Sequence, residues 1–217
     1  MVRVTGLAIA LAATASAIAG AGPAAAAPGP GRAMLAAATA SRLDADDLAR
    51  IGRGEIVFDV EDAGRGDRKI RFAGAVNGQP DTVYRVLANF DIYDEVLPAY
   101  FIESRVTGRD TAEIATIFKF RTYWPFPERH VLNRYQVDPE RRALAWWRVG
   151  GSVVKNDGTV VVRPWGGDRS LVDFRVAVDP GIPFIPHWIF EWAERQVVPG
   201  VLTSLDGYLT RTRTAIR

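Results

Sequence analysis

Residues 171–213, LVDFRVAVDPGIPFIPHWIFEWAERQVVPGVLTSLDGYLTRTR, decide the fold of this chain. In residues 171–179 every second side chain, from Val172 to Val178, is apolar, which is the period of a strand with one buried face. In residues 187–213 apolar side chains recur at helical spacing, so one broad stripe of a long helix is apolar. A strand followed by such a helix predicts a sheet whose apolar face is covered by the helix.

The residues before this stretch predict the remaining strands of one antiparallel sheet. They alternate between apolar and polar side chains, and turn-forming residues separate them. Each strand has one apolar face, so the sheet needs a cover on one side. The strands are predicted at residues 55–61, 69–76, 100–106, 114–120, 129–137 and 171–179, with turns at 108–110, 138–140 and 156–158.

Helices are predicted at three places. An acidic first turn and a basic end indicate a short helix at residues 44–50, and Pro80 opens a second helical pattern that continues to residue 97. Pro199-Gly200 lies inside the final helix and is expected to bend it, either to improve packing or as the hinge of a lid. Together the elements predict an α+β fold of the helix-grip type, a curved antiparallel β-sheet wrapped around a long C-terminal α-helix with a ligand cavity between them.

The first residues have the features of an export signal. Arg3 is followed by an uncharged apolar run and by four alanines, which predicts a signal peptide at residues 1–26. A membrane anchor is the alternative, because the run approaches the ~20 residues of a spanning helix, although alanine and glycine are weakly apolar. Residues 27–40 are rich in alanine, glycine and proline without periodicity, which predicts a flexible leader. The folded domain is therefore predicted at residues 41–217.

Composition excludes several classes of function. The net charge of +2 falls to +1 once Arg3 is removed, which does not support a nucleic-acid-binding surface. The chain has no cysteine, so thiol chemistry is excluded and the domain must be stable without disulfides. Its two histidines, His130 and His187, are far apart in sequence, and no catalytic or metal-binding motif occurs. We therefore expect no catalytic residue, no metal, no cofactor and no enzymatic activity.

Three stretches of the sequence carry a family resemblance. They are residues 124–130 (WPFPERH), residues 158–164 followed by the strand at 171–179, and residues 179–183 (DPGIP). In this order and spacing they resemble the START lipid-transfer domains of the helix-grip superfamily, which also contains polyketide cyclases and coenzyme Q-binding proteins. The resemblance covers residues 55–213 and implies a polar group at the cavity edge at Arg129, whereas His130 stands where many relatives have aspartate.

Strand alternation and aromatic content indicate where a ligand would bind. On residues 129–137 the alternate positions that begin with Arg129 are the more apolar, so we assign them to the interior. Arg129 would then pair with Asp173 or Glu103, reach solvent, or bind a ligand headgroup. The aromatic residues are either plain core or the lining of a cavity that the helix cannot fill. The predicted ligand-binding residues are Phe118, Phe120, Arg129, Asn133, Tyr135, Trp147, Phe174 and Trp192.

The sequence thus predicts an exported monomer that binds and transfers a lipid, a sterol or a quinone-like molecule. We expect it in the periplasm or outside the cell after the signal peptide is removed. The loop from Trp124 to Phe126, with rigid prolines beside its aromatic residues, is a candidate for transient membrane contact. A polyketide cyclase or dehydratase is the alternative, since the same fold supports that chemistry.

Overall fold

The structure is a computed structural model that describes residues 29–64, 67–110, 113–120, 128–181 and 187–215, with the backbone alone at 63–64, 187–198 and 214–215. Five α-helices, one 3-10 helix and eight strands lie within these ranges. The helices are α1 (Pro30–Ala40), α2 (Ala45–Gly52), α3 (Pro80–Leu87), the 3-10 helix (Phe90–Ile92), α4 (Tyr93–Val96) and α5 (His187–Ala215). The strands are β1 (Val57–Gly64), β2 (Asp67–Asn77), β3 (Phe101–Arg109), β4 (Ile114–Phe120), β5 (Arg129–Asp138), β6 (Ala143–Gly151), β7 (Lys155–Pro164) and β8 (Arg169–Asp179).

All eight strands form one antiparallel sheet in the order β1-β2-β8-β7-β6-β5-β4-β3. The first hairpin therefore lies beside the last strand, and the other strands follow one another as a meander. The sheet curves, and the largest cluster of buried apolar side chains lies between its inner face and the helices α3, α4 and α5. The predicted α+β arrangement, a curved antiparallel sheet around a long C-terminal helix, is confirmed.

The two predicted helices before the meander are present, but the second is divided. The helix predicted at 44–50 is α2, and its cap is Asp44, whose carboxylate accepts a hydrogen bond from Asp47 N at 2.8 Å. The pattern from Pro80 to residue 97 forms α3, the 3-10 helix and α4 rather than one helix. The carbonyl of Leu87, at the end of α3, accepts a hydrogen bond from the Tyr93 hydroxyl. A side chain therefore satisfies a terminal helix carbonyl.

The prediction of a flexible leader at residues 27–40 is wrong for residues 30–40, which form α1. This helix packs on the outer face of the sheet, where Leu35 and Ala38 contact small side chains of β6 and β7. The contact is so close at Gly31 that an added Cβ would overlap Trp147 and Gln136. Alanine favours helix formation, and the apolar face becomes stable only against this particular surface. The folded part therefore begins before residue 41.

The turn predicted at residues 156–158 is also wrong, because these residues lie inside β7 and pair with β8. Their side chains contact residues of the neighbouring strand β6 and do not form a turn. The Asp157 carboxylate accepts a hydrogen bond from Arg148 N at 3.0 Å, and Asn156 accepts one from the Trp146 indole at 3.2 Å. Gly158 leaves room for the Trp146 ring, which an added Cβ would overlap. These residues, which are common in turns, therefore bind β6 through their side chains at the place where β6 and β7 diverge.

The helix α5 continues through Pro199, so the proline does not interrupt it. The next residue, Gly200, allows the hydroxyl of Tyr100 to approach the helix backbone, since a Cβ at this position would overlap that oxygen. This close contact favours the packing interpretation of Pro199-Gly200 over the hinge.

The export prediction lies outside the described residues. The predicted signal peptide at 1–26 belongs to the undescribed part, so its removal stays a prediction. Among the helices of the described ranges, none combines the length and the apolar character needed to cross a membrane.

Candidate ligand-binding cavity

A cavity of about 370 Å³ lies between the inner face of the sheet and the helices that cover it. Its lining comes from β2, β3, β4, β5, β6, β7 and β8 and from the segments around α3, α4 and α5. Most of the lining side chains are aliphatic or aromatic. The size falls within the range of roughly 300–1,000 Å³ that is typical of small-molecule sites.

Six of the eight predicted site residues line this cavity. Strand alternation on β5 places Arg129, Asn133 and Tyr135 on the inner face, as predicted. The side chain of Trp192, which belongs to α5, lies outside the described part, and so does the predicted membrane-contact loop at Trp124 to Phe126. The six residues in the lining are Phe118, Phe120, Arg129, Asn133, Tyr135 and Phe174.

Trp147 does not line the cavity, and this prediction is wrong. Its neighbour Trp146 does, because Trp146 is directly opposite the inward residue Tyr135 in the β5–β6 register. Adjacent residues of a strand point to opposite faces, so Trp147 lies on the outer face beside Gly31 of α1. Two consecutive tryptophans give no alternation from which the inward one could be chosen.

Stacked aromatic rings form the walls of the cavity. The ring centroids of Phe72 and Phe174 lie 4.7 Å apart, and those of Tyr93 and Phe118 lie 5.4 Å apart. The rings of Tyr135 and Trp146 stack at 5.8 Å. Such pairs gain stability beyond the burial of their area. The lining therefore presents a firm apolar surface to a ligand.

Several lining residues were missed in the sequence because they lie outside regular strands. Tyr93, Leu97 and Tyr100 come from α4 and the segment after it. The apolar spacing of Tyr93 and Leu97 predicted only the packing of a helix, and Tyr100 was predicted as the first residue of the strand at 100–106. The division of that helix at residues 88–92 turns its second half toward the cavity.

Arg129 is the one permanently charged side chain among the described residues that line the cavity. Its guanidinium group donates to the carbonyl oxygens of Ser152 and Gly181, each at 3.4 Å. Its buried Nε has no hydrogen-bond partner among the described residues. The two carboxylates considered as partners are engaged elsewhere, Glu103 with Lys119 at 2.7 Å and Asp173 with arginines on the outer face. Among the alternatives for Arg129, pairing with either carboxylate is therefore excluded.

His130 lies on the opposite side of β5 and is exposed, as strand alternation predicts. Its backbone N–H donates to Ser152 Oγ at 3.0 Å, and its ring Nδ1 lies 3.4 Å from the same oxygen. The imidazole thus points away from the cavity.

Tyr93, which is partly buried, and Tyr135, which is buried, add hydroxyl groups to the lining. Burial raises the pKa of Tyr93 well above its ordinary value, and the nearby Tyr135 adds to the rise. Burial likewise raises the pKa of Tyr135, while a hydrogen bond from the Asn133 side chain opposes part of the change. Both phenols are therefore protonated at neutral pH and add no negative charge to the cavity.

The folds of several solved structures are similar to this one. The Zhui aromatase/cyclase from Streptomyces sp. R1128 shares 15% sequence identity at a TM-score of 0.57, over 67% of this chain and 94% of that chain. A STAR-related lipid transfer protein from Xanthomonas axonopodis shares 17% at 0.54, over 70% and 98%. A START superfamily protein from Mycobacterium smegmatis shares 12% at 0.55, over 66% and 98%. The chain has a START-like helix-grip fold.

The sequence of this chain differs strongly from the sequences of those proteins. No protein-family model matches the chain, and no curated protein matches it either. Lipid transfer proteins and aromatase/cyclases share the fold, so the fold supports binding of a ligand but does not distinguish a carrier from an enzyme. The distinction must come from the chemistry of the cavity.

Proposed function

We propose that the START-like domain binds an amphiphilic lipid, with its apolar part between the aromatic walls and an acidic head at Arg129. The observation that carries the proposal is an apolar cavity whose described lining has one permanent charge and no carboxylate. A guanidinium group removed from water without an anionic partner is costly, so a ligand that supplies the anion is favoured.

The energetics of lipid hydration explain why such a cavity would be useful. Moving a chain of roughly 14 methylenes into water costs on the order of 11 kcal/mol, at about 0.8 kcal/mol for each methylene. Enclosure in an apolar cavity offsets most of this cost. In the sequence, residues 121–127 lie between Phe120 and Arg129, two residues that line the cavity. This connection supports the Trp124 to Phe126 loop as the part that contacts a membrane during transfer.

We also propose that the lipid is carried outside the cytoplasm. Support comes from Arg3, the apolar run after it and the alanines at 24–27, which have the pattern of a cleaved export signal. The name of one neighbour, a STAR-related lipid transfer protein, supports transfer as the activity.

Extraction of the purified protein with organic solvent, followed by mass spectrometry, tests the proposal directly. We expect about one equivalent of an acidic lipid per chain, and the intact mass should correspond to a chain that starts near residue 27. A protein that contains no lipid and also fails to bind added octadecanoic acid would contradict the carrier proposal.

The role of Arg129 is tested by Arg129→Gln. We expect the variant to lose affinity for octadecanoic acid by roughly tenfold or more, because charge-assisted hydrogen bonds contribute about 1.5–3 kcal/mol. The affinity for octadecanol should change far less. Arg134→Gln is the matched control, since Arg134 lies on the same strand, faces the other side and pairs with Glu113 at 3.2 Å. Equal losses for the acid and the alcohol would contradict an acidic head at Arg129.

A cyclase is the second candidate, because the Zhui aromatase/cyclase has a similar fold. The described lining offers the phenols of Tyr93 and Tyr135, whose raised pKa values make them hydrogen-bond donors and poor bases. This supports a carrier over an enzyme. Turnover of a linear polyketide analogue by the purified protein would overturn that preference.

A further inference from the structure

Two polar side chains are buried together on the inner face of the sheet. Thr116 of β4 and Asn133 of β5 are directly opposite in the strand register, and each is about 1% exposed. Side chains opposite each other on neighbouring strands have Cβ atoms roughly 5 Å apart, so a single oxygen atom can contact both. Asn133 lines the cavity, and Thr116 lies beside it.

Both side chains have an oxygen atom without a hydrogen-bond partner in the described part of the chain. These atoms are Thr116 Oγ1 and Asn133 Oδ1. A hydrogen bond from the Asn133 side chain offsets part of the rise that burial causes in the pKa of Tyr135, and the amide oxygen of Asn133 has no partner among the described residues. Arg148 is opposite Asn133 on β6. One terminal nitrogen of its guanidinium group donates to the carbonyl of Gly151 at 3.0 Å, and its buried Nε has no partner among the described residues. Native proteins satisfy most buried polar groups, so this pair requires an explanation.

The pair lies at a fixed distance from Arg129 along the same strand. Arg129 and Asn133 are four residues apart and share the inner face, which separates their Cα atoms by about 13 Å at 3.3 Å per residue. Val131, between them, is fully buried and apolar. The cavity wall therefore has a charged position and an uncharged polar position with an apolar span between.

We propose that Thr116 and Asn133 bind a hydroxyl group in the chain of the ligand. A hydroxyl donates to the Asn133 oxygen and accepts from the Thr116 hydroxyl, so it satisfies both groups at once. A methylene satisfies neither, and a second carboxylate has no proton to donate. The inference rests on the proposed function, because the acidic head at Arg129 sets the register of the chain. The hydroxyl then lies roughly ten carbon–carbon bonds from the head.

Competition binding of three acids to the purified protein tests this assignment. Octadecanoic acid, 10-hydroxyoctadecanoic acid and 2-hydroxyoctadecanoic acid displace the same fluorescent fatty acid, and the two hydroxy acids have equal polarity. We expect the 10-hydroxy acid to bind about tenfold more tightly than the 2-hydroxy acid, as the loss of an unpaired buried polar group predicts.

Variants of Thr116 and Asn133 test whether these two residues cause the preference for the 10-hydroxy acid. Thr116→Val and Asn133→Leu keep the approximate shape and remove the polar atoms, so each should reduce the preference for the 10-hydroxy acid to near unity. Thr159→Val is the matched control, because Thr159 is a buried threonine on the outer face of β7. The control should keep the tenfold preference.

The outcomes separate this inference from the proposed function. Binding of all three acids with equal affinity would leave the carrier function standing and would mean that the pair holds only a buried water. A preference that survives in both Thr116→Val and Asn133→Leu would place the hydroxyl elsewhere and overturn the assignment. Failure of all three acids to bind would overturn the proposed function itself.

Discussion

On the outer face of the sheet a buried carboxylate is surrounded by cations, whereas on the inner face a half-buried cation has no carboxylate among the described residues. Asp173 on the outer face lies 3.6 Å from Arg71, 3.6 Å from Arg163 and 3.8 Å from Arg175. Among the described residues, the hydrogen-bond acceptors of Arg129 on the inner face are the carbonyl oxygens of Ser152 and Gly181. The outer face therefore places a carboxylate of the chain among its cations, whereas the described residues of the inner face place none beside Arg129.

The difference indicates a separate role for each face: the outer face attaches another segment of the chain, and the inner face binds a ligand. The outer arginines also bind the segment after α1, since Arg163 donates to the Ser41 carbonyl at 3.1 Å and Arg71 to the Arg42 carbonyl at 3.2 Å. Their charges are used to attach one part of the chain to another. The polar groups of the inner face lie beside the cavity and not beside another segment of the chain. This arrangement is expected where a ligand supplies the missing partners.

The largest effect is expected from Asp173→Asn, which removes the carboxylate and leaves three guanidinium groups close together. Breaking a buried ion pair on one side costs about 3–5 kcal/mol, and we expect a loss of that size in the free energy of unfolding. Urea denaturation measures it. Glu61→Gln is the control, because its pair with Lys69 is exposed and should contribute below about 1 kcal/mol. A small loss in Asp173→Asn would mean that the Asp173 carboxylate does not stabilise the arginines of the outer face.

A smaller effect is expected from Leu35→Ala in α1. Leu35 is buried against Ala143, Ala145 and Val161, so its truncation should lower the free energy of unfolding by about 2–3 kcal/mol. The affinity for octadecanoic acid should stay the same, because the cavity is on the other face. An unchanged urea midpoint would show that α1 does not pack on the sheet in solution and that the outer face is open.

The smallest effect is expected from substitutions of the two adjacent tryptophans, which should differ in whether they change lipid affinity or stability. Trp146→Leu removes part of the cavity wall and should weaken lipid binding by about tenfold, since less apolar area is buried against the ligand. Trp147→Leu should lower stability through its contact with α1 and leave the lipid affinity unchanged. Titration with a fluorescent fatty acid compares the two. Reversed results would mean that the β5–β6 register is shifted by one residue.

Much of the fold and of the site could be predicted from the sequence because it depends on local periodicity. The alternation of β5 and β8 assigned Arg129, Asn133, Tyr135 and Phe174 to the inner face, and the structure places them there. Trp147 was assigned to the wrong face because two consecutive aromatic residues do not alternate. The segment at 30–40 was assigned no structure because its apolar face is complementary only to a surface formed by distant strands.

The sequence by itself determined six of the eight strands in their order, the inner face of β5 and β8 and the helical spacing of residues 187–213. Those features depend on neighbours two to four positions away, and such neighbours are fixed by the chain. Only the tertiary structure decided the partners of Asp173, the hydrogen bonds of Arg129 to two carbonyl oxygens and the pairing of Thr116 with Asn133. Those relations join residues of different strands, so they depend on which strands pair and in which register, and the periodicity within one strand does not specify its partner.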